Sequence, residues 1–240
     1  MDRQHRAFVL GATGYVGNAL VATLRQQGIM VCAHIRPDSD RLTVLKPVFE
    51  ARGARVSTCL LQRESLAEAI RDFDPTMVFA VQGTTKARMK EAKAARQNPT
   101  AHSYDAVDYG LTKLLVEAVQ DVGCSPRFVY LSAIGAGPGA MGAYMQARWK
   151  AEQAVTQSGL PYTIVRPAII SGPDREESRS GERVGALVMD AALKTVSLFG
   201  GKNLARRYAS ITAQQLAQAL ADAAANPARE NTVLEIKDLR

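Results

Sequence analysis

Three glycines at one spacing are the first residues in this chain of 240 whose pattern could do chemistry: Gly11-Ala12-Thr13-Gly14-Tyr15-Val16-Gly17, a G-x-x-G-x-x-G run. It follows a short apolar stretch and opens a segment of helical periodicity, the context in which such a loop receives a pyrophosphate. Gly11 permits a tight turn, Gly14 lets the backbone approach a phosphate, and Gly17 lets the helix pack against the strand. Free N–H groups at the helix N-terminus and its positive dipole end then face the anion, so Thr13, Tyr15 and Val16 join the glycines as expected cofactor contacts. The next informative position is the end of the second apolar run, His34-Ile35-Arg36-Pro37. NAD-preferring sites place an acid there for the ribose 2′-OH. Arg36 cannot accept from a hydroxyl, but its planar guanidinium can pair with a 2′-phosphate and stack on adenine, so NADP(H) is expected over NAD(H). Asp38 and Asp40 lie just beyond; either has the reach for a ribose, although both read better as caps of the following helix, Asp40 especially. His5, His34 and His102 do not cluster, so no metal site is expected. Cys32, Cys59 and Cys124 form no C-x-x-C pair, which argues against a disulfide framework and a thiolate zinc site. Cys59 and Cys124 read as core or near-core residues.

The elements that must position these groups follow from composition and period. A chain with 47% hydrophobic and 22% charged residues builds one soluble domain with a full core. Short apolar runs alternate with longer amphipathic segments, and Gly28, Gly53, Gly123 and Gly159 stand where helix hands over to strand, a place suited to the left-handed conformation. Strands are expected near residues 7–10, 30–35, 55–59, 77–81, 128–131 and 163–166, with later ones near 207–210 and 232–236. Helices fill 15–27, 41–52, 64–72, 104–122, 142–157, 184–193 and 213–224, the second kinked or shortened by Pro47. The predicted architecture is an α/β, doubly wound parallel sheet, a Rossmann fold, in a single domain over 1–240. Residues 171–185 read as a surface loop, and about 171–240 as contributing a small C-terminal lobe on the substrate side.

Charge and apolar runs bound the partners. No apolar stretch reaches the roughly 18 residues of a membrane span, and the start of the chain has no secretory pattern, so no membrane helix and no signal peptide are expected. With the dispersed cysteines this suggests a reducing, cytoplasmic setting. The net charge of +7 permits anionic partners without identifying one. Its densest stretch holds Lys86, Arg88, Lys90, Lys93 and Arg96 against Glu91. With no aromatic residue among them, it reads as a solvated helix face or loop, and nucleic acid is not an expected partner.

Five blocks together carry a family resemblance: the Gly11 to Gly17 loop; Val81-Gln82-Gly83-Thr84-Thr85; Val129-Tyr130-Leu131-Ser132-Ala133-Ile134-Gly135-Ala136; Tyr144 to Glu152; and Tyr162-Thr163-Ile164-Val165-Arg166-Pro167. In order and spacing the chain resembles the atypical short-chain dehydrogenase/reductases, the NmrA-like and NAD(P)H-binding group, over nearly its whole length. Active members of that superfamily use a Tyr that exchanges a proton beside the nicotinamide and a Lys four residues later that binds the ribose; the spacing puts both on one helix face. Here the pair reads Tyr144-x-x-x-Arg148, while a frame keeping Lys150 as the lysine would put Gln146, which cannot titrate, at the tyrosine position. The first frame keeps the phenol, with Arg148 offering charge and hydrogen bonds to the ribose, although arginine cannot shuttle a proton. The resemblance further implies that Ser132 donates to a developing oxyanion. It also places Gln82 and Gly83 beside the cofactor ribose, and Pro167 and Ile170 at the carboxamide. At Cys59-Leu60-Leu61 the chain departs from the family, which often has an Asp near the adenine. Two functions stand open: an NADPH-dependent oxidoreductase reducing a small carbonyl or activated double bond with Tyr144 as proton donor, and an NADP(H)-sensing regulatory or scaffold protein of the NmrA type acting on a protein partner.

Overall fold

Strands that are apolar on both faces are stable only in a sheet covered on both sides. In the computed structural model, which describes residues 5–96, 98–171 and 210–238, β1 (Arg6–Leu10), β4 (Met77–Ala80) and β5 (Arg127–Leu131) are such strands. β1 sends Ala7 and Val9 into one core layer and Phe8 and Leu10 into the other; β4 divides Met77 and Phe79 from Val78 and Ala80 in the same way. The remaining strands of the sheet are β2 (Met30–His34), β3 (Arg55–Ser57), β6 (Tyr162–Arg166) and β9 (Thr232–Glu235). All seven are parallel, in the order β3-β2-β1-β4-β5-β6-β9, so the chain reverses its winding direction between β1 and β4.

Helices cover both faces. On one side lie α1 (Tyr15–Gln26), α2 (Leu42–Ala51) and α7 (Ala213–Ala225); on the other lie α3 (Arg63–Phe73), α5 (Leu111–Val122) and α6 (Ala143–Thr156). The four glycines expected at helix-to-strand junctions, Gly28, Gly53, Gly123 and Gly159, all take positive φ between 73° and 77°. A separate pair, β7 (Ile169–Ser171) and β8 (Ser210–Thr212), runs parallel beside the main sheet and flanks the interval 172–209. The expected helix at 184–193 and most of the strand at 207–210 lie outside the described residues. Of the segment from 171 onward, α7 packs on α1 and β9 extends the sheet, so both belong to the main body.

Several sequence expectations need correction. Asp40 does not cap α2: the N-cap is Arg41, with no side-chain cap bond. α2 continues through Pro47 to Ala51, so the proline does not stop the helix early. The helix expected over 104–122 is two pieces, a π-helical turn at Asp105–Gly110 leading into α5. Residues 86–94 form a helix of their own, α4 (Lys86–Ala94), started by Thr85, whose side chain accepts from the Arg88 N–H. Only Ala92 of α4 is buried, which is why apolar periodicity gave no sign of it.

Candidate functional site

The strand ends β1, β2, β4, β5 and β6 converge on the carboxyl edge of the sheet, and the reversal of strand order between β1 and β4 opens a crevice there. The glycine loop forms its floor. Gly11 has φ +89°, and a Cβ on it would meet the Gln82 backbone N at 2.5 Å, so the loop lies directly against the end of β4. The Gly14 N–H donates to the Gly11 carbonyl at 3.0 Å, and Gly14 then serves as N-cap of α1. No side chain caps that helix, so the first-turn N–H groups of Tyr15, Val16 and Gly17 are left without a side-chain partner at its positive dipole end. Gly17 is needed for another reason: its Cβ would lie 2.8 Å from Ala12 Cα and closer still to the Gly11 carbonyl oxygen.

Beside this loop, Arg36 stands exposed after β2, 3.6 Å from the Asp38 carboxylate, while Arg41 Nη1 donates to the Thr13 carbonyl at 2.9 Å. Arg41 was not singled out from the sequence, because nothing local says that a helix-start arginine folds back onto the loop. Below them His34 is buried and shares a 2.9 Å hydrogen bond with the Cys59 carbonyl; burial lowers its pKa below the ordinary value. Cys59 is half-buried and Leu60 is 51% exposed at the strand end where the family's acid is missing.

On the far side of the switch point the geometry centres on Arg148. Its guanidinium is buried on α6, with Nη2 2.7 Å from Asp108 Oδ1; Nη1 donates to the Leu131 carbonyl at 2.5 Å and to the Tyr130 hydroxyl at 3.3 Å. Asp108 comes from the π-helical turn, whose irregular winding brings a carboxylate inward. Asp108 Oδ2 accepts the Thr84 N–H at 3.2 Å, and the Asp108 carbonyl accepts the Thr112 hydroxyl at 2.8 Å. Gln82 Nε2 in turn donates to Thr112 Oγ1 at 2.8 Å, leaving Gln82 Oε1 buried without a hydrogen-bond partner among the described residues. Burial pushes the Asp108 carboxyl above its usual range, partly offset by Arg148 and the Thr84 N–H. Burial also pushes the Tyr130 phenol up to about 12. Burial opposes the charge on Arg148, but Tyr130, Tyr144 and Asp108 outweigh it and hold the guanidinium in its charged form.

Tyr144, one turn before Arg148, is half-buried; its ring lies 5.3 Å from the Arg148 guanidinium carbon and 5.1 Å from the Tyr104 ring. Lys150, the lysine of the alternative frame, is on the outer face and ion-paired to Asp105 at 2.7 Å, away from Tyr144. Ser132 sits at the end of β5, 3% exposed, and its hydroxyl donates to Glu152 Oε1 at 2.5 Å. Glu152 is also held by Arg166, through Nε at 2.8 Å and Nη2 at 2.5 Å. Pro167 is buried after β6, its carbonyl accepting the Ile134 N–H at 2.9 Å, and Ile170 is half-buried on β7. Asp108, Glu152 and Arg166 were not picked out as site residues. The i, i+4 series Tyr144, Arg148, Glu152 was the available signal, since it puts three polar groups on one helix face.

An uncapped helix N-terminus behind a glycine loop and a buried amide oxygen lacking a donor among the described residues together fit a dinucleotide. Comparison agrees with this geometry. A family model described as NAD(P)H-binding matches residues 11–227, and the chain belongs to that family. It is 27% identical over 186 residues, 69% of its length, to Protein TIC 62, chloroplastic, of Pisum sativum, and spans only 33% of that protein. The fold is also that of UDP-glucose 4-epimerase from Brucella ovis in complex with NAD, with TM-score 0.66, 16% identity, and coverage of 98% of this chain and 80% of that one. A wide-type short-chain dehydrogenase/reductase from Veillonella parvula in complex with NADP gives TM-score 0.60, 15% identity, and coverage of 95% and 92%. No described helix is long and apolar enough to cross a membrane.

Proposed function

We propose that this chain is an NADPH-dependent reductase of the atypical short-chain type, acting on a small neutral carbonyl or activated double bond. The observation that carries the reading is the pairing of the dinucleotide loop with a phenol, Tyr144, held beside a buried guanidinium on the carboxyl edge of the same sheet. Gly11, Thr13, Gly14, Tyr15, Val16 and Gly17 would bind the pyrophosphate, Arg36 the 2′-phosphate, Gln82 and Gly83 the second ribose, and Pro167 and Ile170 the carboxamide. Bound there, NADPH supplies a hydride. Tyr144 supplies the proton, so that a carbonyl receives one hydride and one proton and leaves as the alcohol. Residues 132–147 carry no charged side chain, which favours a neutral substrate on that wall. A reducing, cytoplasmic setting belongs to this reading and suits the three free cysteines.

A second reading, an NADP(H) sensor of the NmrA type that regulates a protein partner, draws on one observation. The Ser132 hydroxyl and the terminal nitrogens of Arg148 are already engaged by Glu152, Asp108 and the Leu131 carbonyl. The two separate on Tyr144→Phe, assayed by NADPH oxidation over a panel of aldehydes, ketones and enones and by calorimetric titration with NADPH. In a reductase the variant loses turnover and keeps cofactor affinity. NADPH binding by the wild type with no turnover on any acceptor supports the sensor; unchanged turnover in the variant removes Tyr144 from the reaction.

A further inference from the structure

The buried cluster around Arg148 raises a question that proton transfer alone does not answer. Arginine and aspartate face each other with side-chain exposures of 7% and 0%, at a site where desolvating two charges is costly. Such a pair persists when it holds something in place, and the elements it touches say what. Asp108 anchors the Thr84 N–H; Arg148 reaches the end of β5 through the Leu131 carbonyl; Thr112, bonded to the Asp108 carbonyl, receives the Gln82 amide. Gly83 lies on top of the pair: a Cβ there would be 2.6 Å from Arg148 Nη2 and 3.3 Å from Asp108 Oδ1. Residues 82–84 are therefore a strap laid across an ion pair, fastened by backbone and side chain to the π-helical turn and, through Arg148, to α6.

We infer that Asp108 and Arg148 act as one positioning unit, setting the 82–84 strap for the nicotinamide half of the dinucleotide, and that neither is itself a cofactor ligand. Both Arg148 Nη atoms have protein partners, which fix the guanidinium against Asp108 and the end of β5; Arg148 Nε and Gln82 Oε1 are buried without a hydrogen-bond partner among the described residues, and of the two we assign Gln82 Oε1, with the strap's backbone, to the ligand. The adenine half is held elsewhere, by the glycine loop and the residues after β2, on strands β1 and β2. The two halves of the site are thus fixed by different elements. This rests on the dinucleotide reading above, and it makes a claim that a general stabilising role would not make: disturbing Asp108 should affect one half of the ligand only.

The experiment is a calorimetric comparison of wild type, Asp108→Asn and Asp108→Ala, each titrated with NADPH and with 2′,5′-ADP, which carries the adenine half alone. The expected result is a loss of about tenfold or more in NADPH affinity, the scale of a lost hydrogen bond to a charged group, with 2′,5′-ADP affinity within about twofold of wild type. Because a lone buried arginine can unfold a protein, the double variant Asp108→Leu with Arg148→Met serves as a second arm; it removes both charges and keeps the volume filled. It should fold, bind 2′,5′-ADP as wild type does, and lose NADPH affinity like the single variants. Equal losses for both ligands, or full NADPH affinity in the double variant, overturn the inference while leaving the dinucleotide site intact. Failure of the wild type to bind either ligand overturns the dinucleotide reading itself, and the inference with it.

Discussion

Replacing Gly83 by alanine tests the packing of the strap with a single methyl group. Gly83 is not among the positive-φ glycines, so alanine is acceptable to its backbone. In open space such a change stabilises a protein by about 0.4–1 kcal/mol through the unfolded chain. Here the new Cβ would meet Arg148 Nη2 at 2.6 Å, well inside contact distance. A guanidinium at the end of a flexible side chain usually yields, but this one is 6% exposed and held by Asp108, the Leu131 carbonyl and Tyr130. Overpacking of this kind costs about 1–3 kcal/mol; at mid-range, about 2 kcal/mol against an entropic gain of about 0.7 kcal/mol leaves a net loss of about 1.3 kcal/mol and reverses the sign. For a chain of this size that corresponds to a fall in Tm of roughly 3–5 °C. Urea unfolding followed by the fluorescence of Trp149, the single tryptophan and the neighbour of Arg148, should show a lower midpoint with an unchanged slope. Gly137, whose Cβ would meet nothing within 4 Å, supplies the control, and Gly137→Ala should be neutral or slightly stabilising. A Gly83→Ala protein as stable as wild type would refute the reasoning, because Arg148 would then be free to step aside.

Arg36→Glu should weaken NADPH by about ten- to a hundredfold and NADH far less, since only the former has a 2′-phosphate; equal effects in paired titrations would dismiss the phosphate assignment. Stability should decline as pH falls through about 6.5, because burial lowers the pKa of His34 in the folded protein and the unfolded chain then binds the extra proton. His34→Gln, which can still donate to the Cys59 carbonyl, should flatten that part of the pH–stability curve; an unaltered slope would assign it to other groups.

The sheet was legible because its strands obey a simple rule, apolar on both faces and punctuated by glycine, and the dinucleotide loop because three glycines at fixed spacing sit between strand and helix. What escaped was determined by contacts distant in sequence. The carboxylate of Asp108 turns inward because a π-helical turn replaces the regular helix there, and no periodicity announces that. Ser132 looked available for a substrate because its partner, Glu152, is 20 residues away on a different element. Lys150 and Arg148 are two residues apart, and only the packing of α6 shows that one faces the sheet and the other solvent. For α4 the sequence left a solvated helix face and a loop both open, for the opposite reason: a helix that buries a single alanine leaves no apolar stripe to decide between them.

The packing of α7 on α1 bears on how the molecule is made. Leu20, Val21 and Leu24 of α1 share one apolar cluster with Leu216, Ala217 and Leu220 of α7, and Gln214 Nε2 donates to Thr23 Oγ1 across 191 residues of chain. During synthesis at about 5–20 residues per second, α1 therefore waits on the order of ten to forty seconds for the helix that covers it. Throughout that interval the helix bearing the phosphate loop offers bare leucine and valine to whatever is nearby, a chaperone or another nascent chain. Nucleotide in the cell can stabilise the protein only after this closure, so substitutions on the α1–α7 contact should reduce yield from cells more than they reduce the affinity of the molecules that mature.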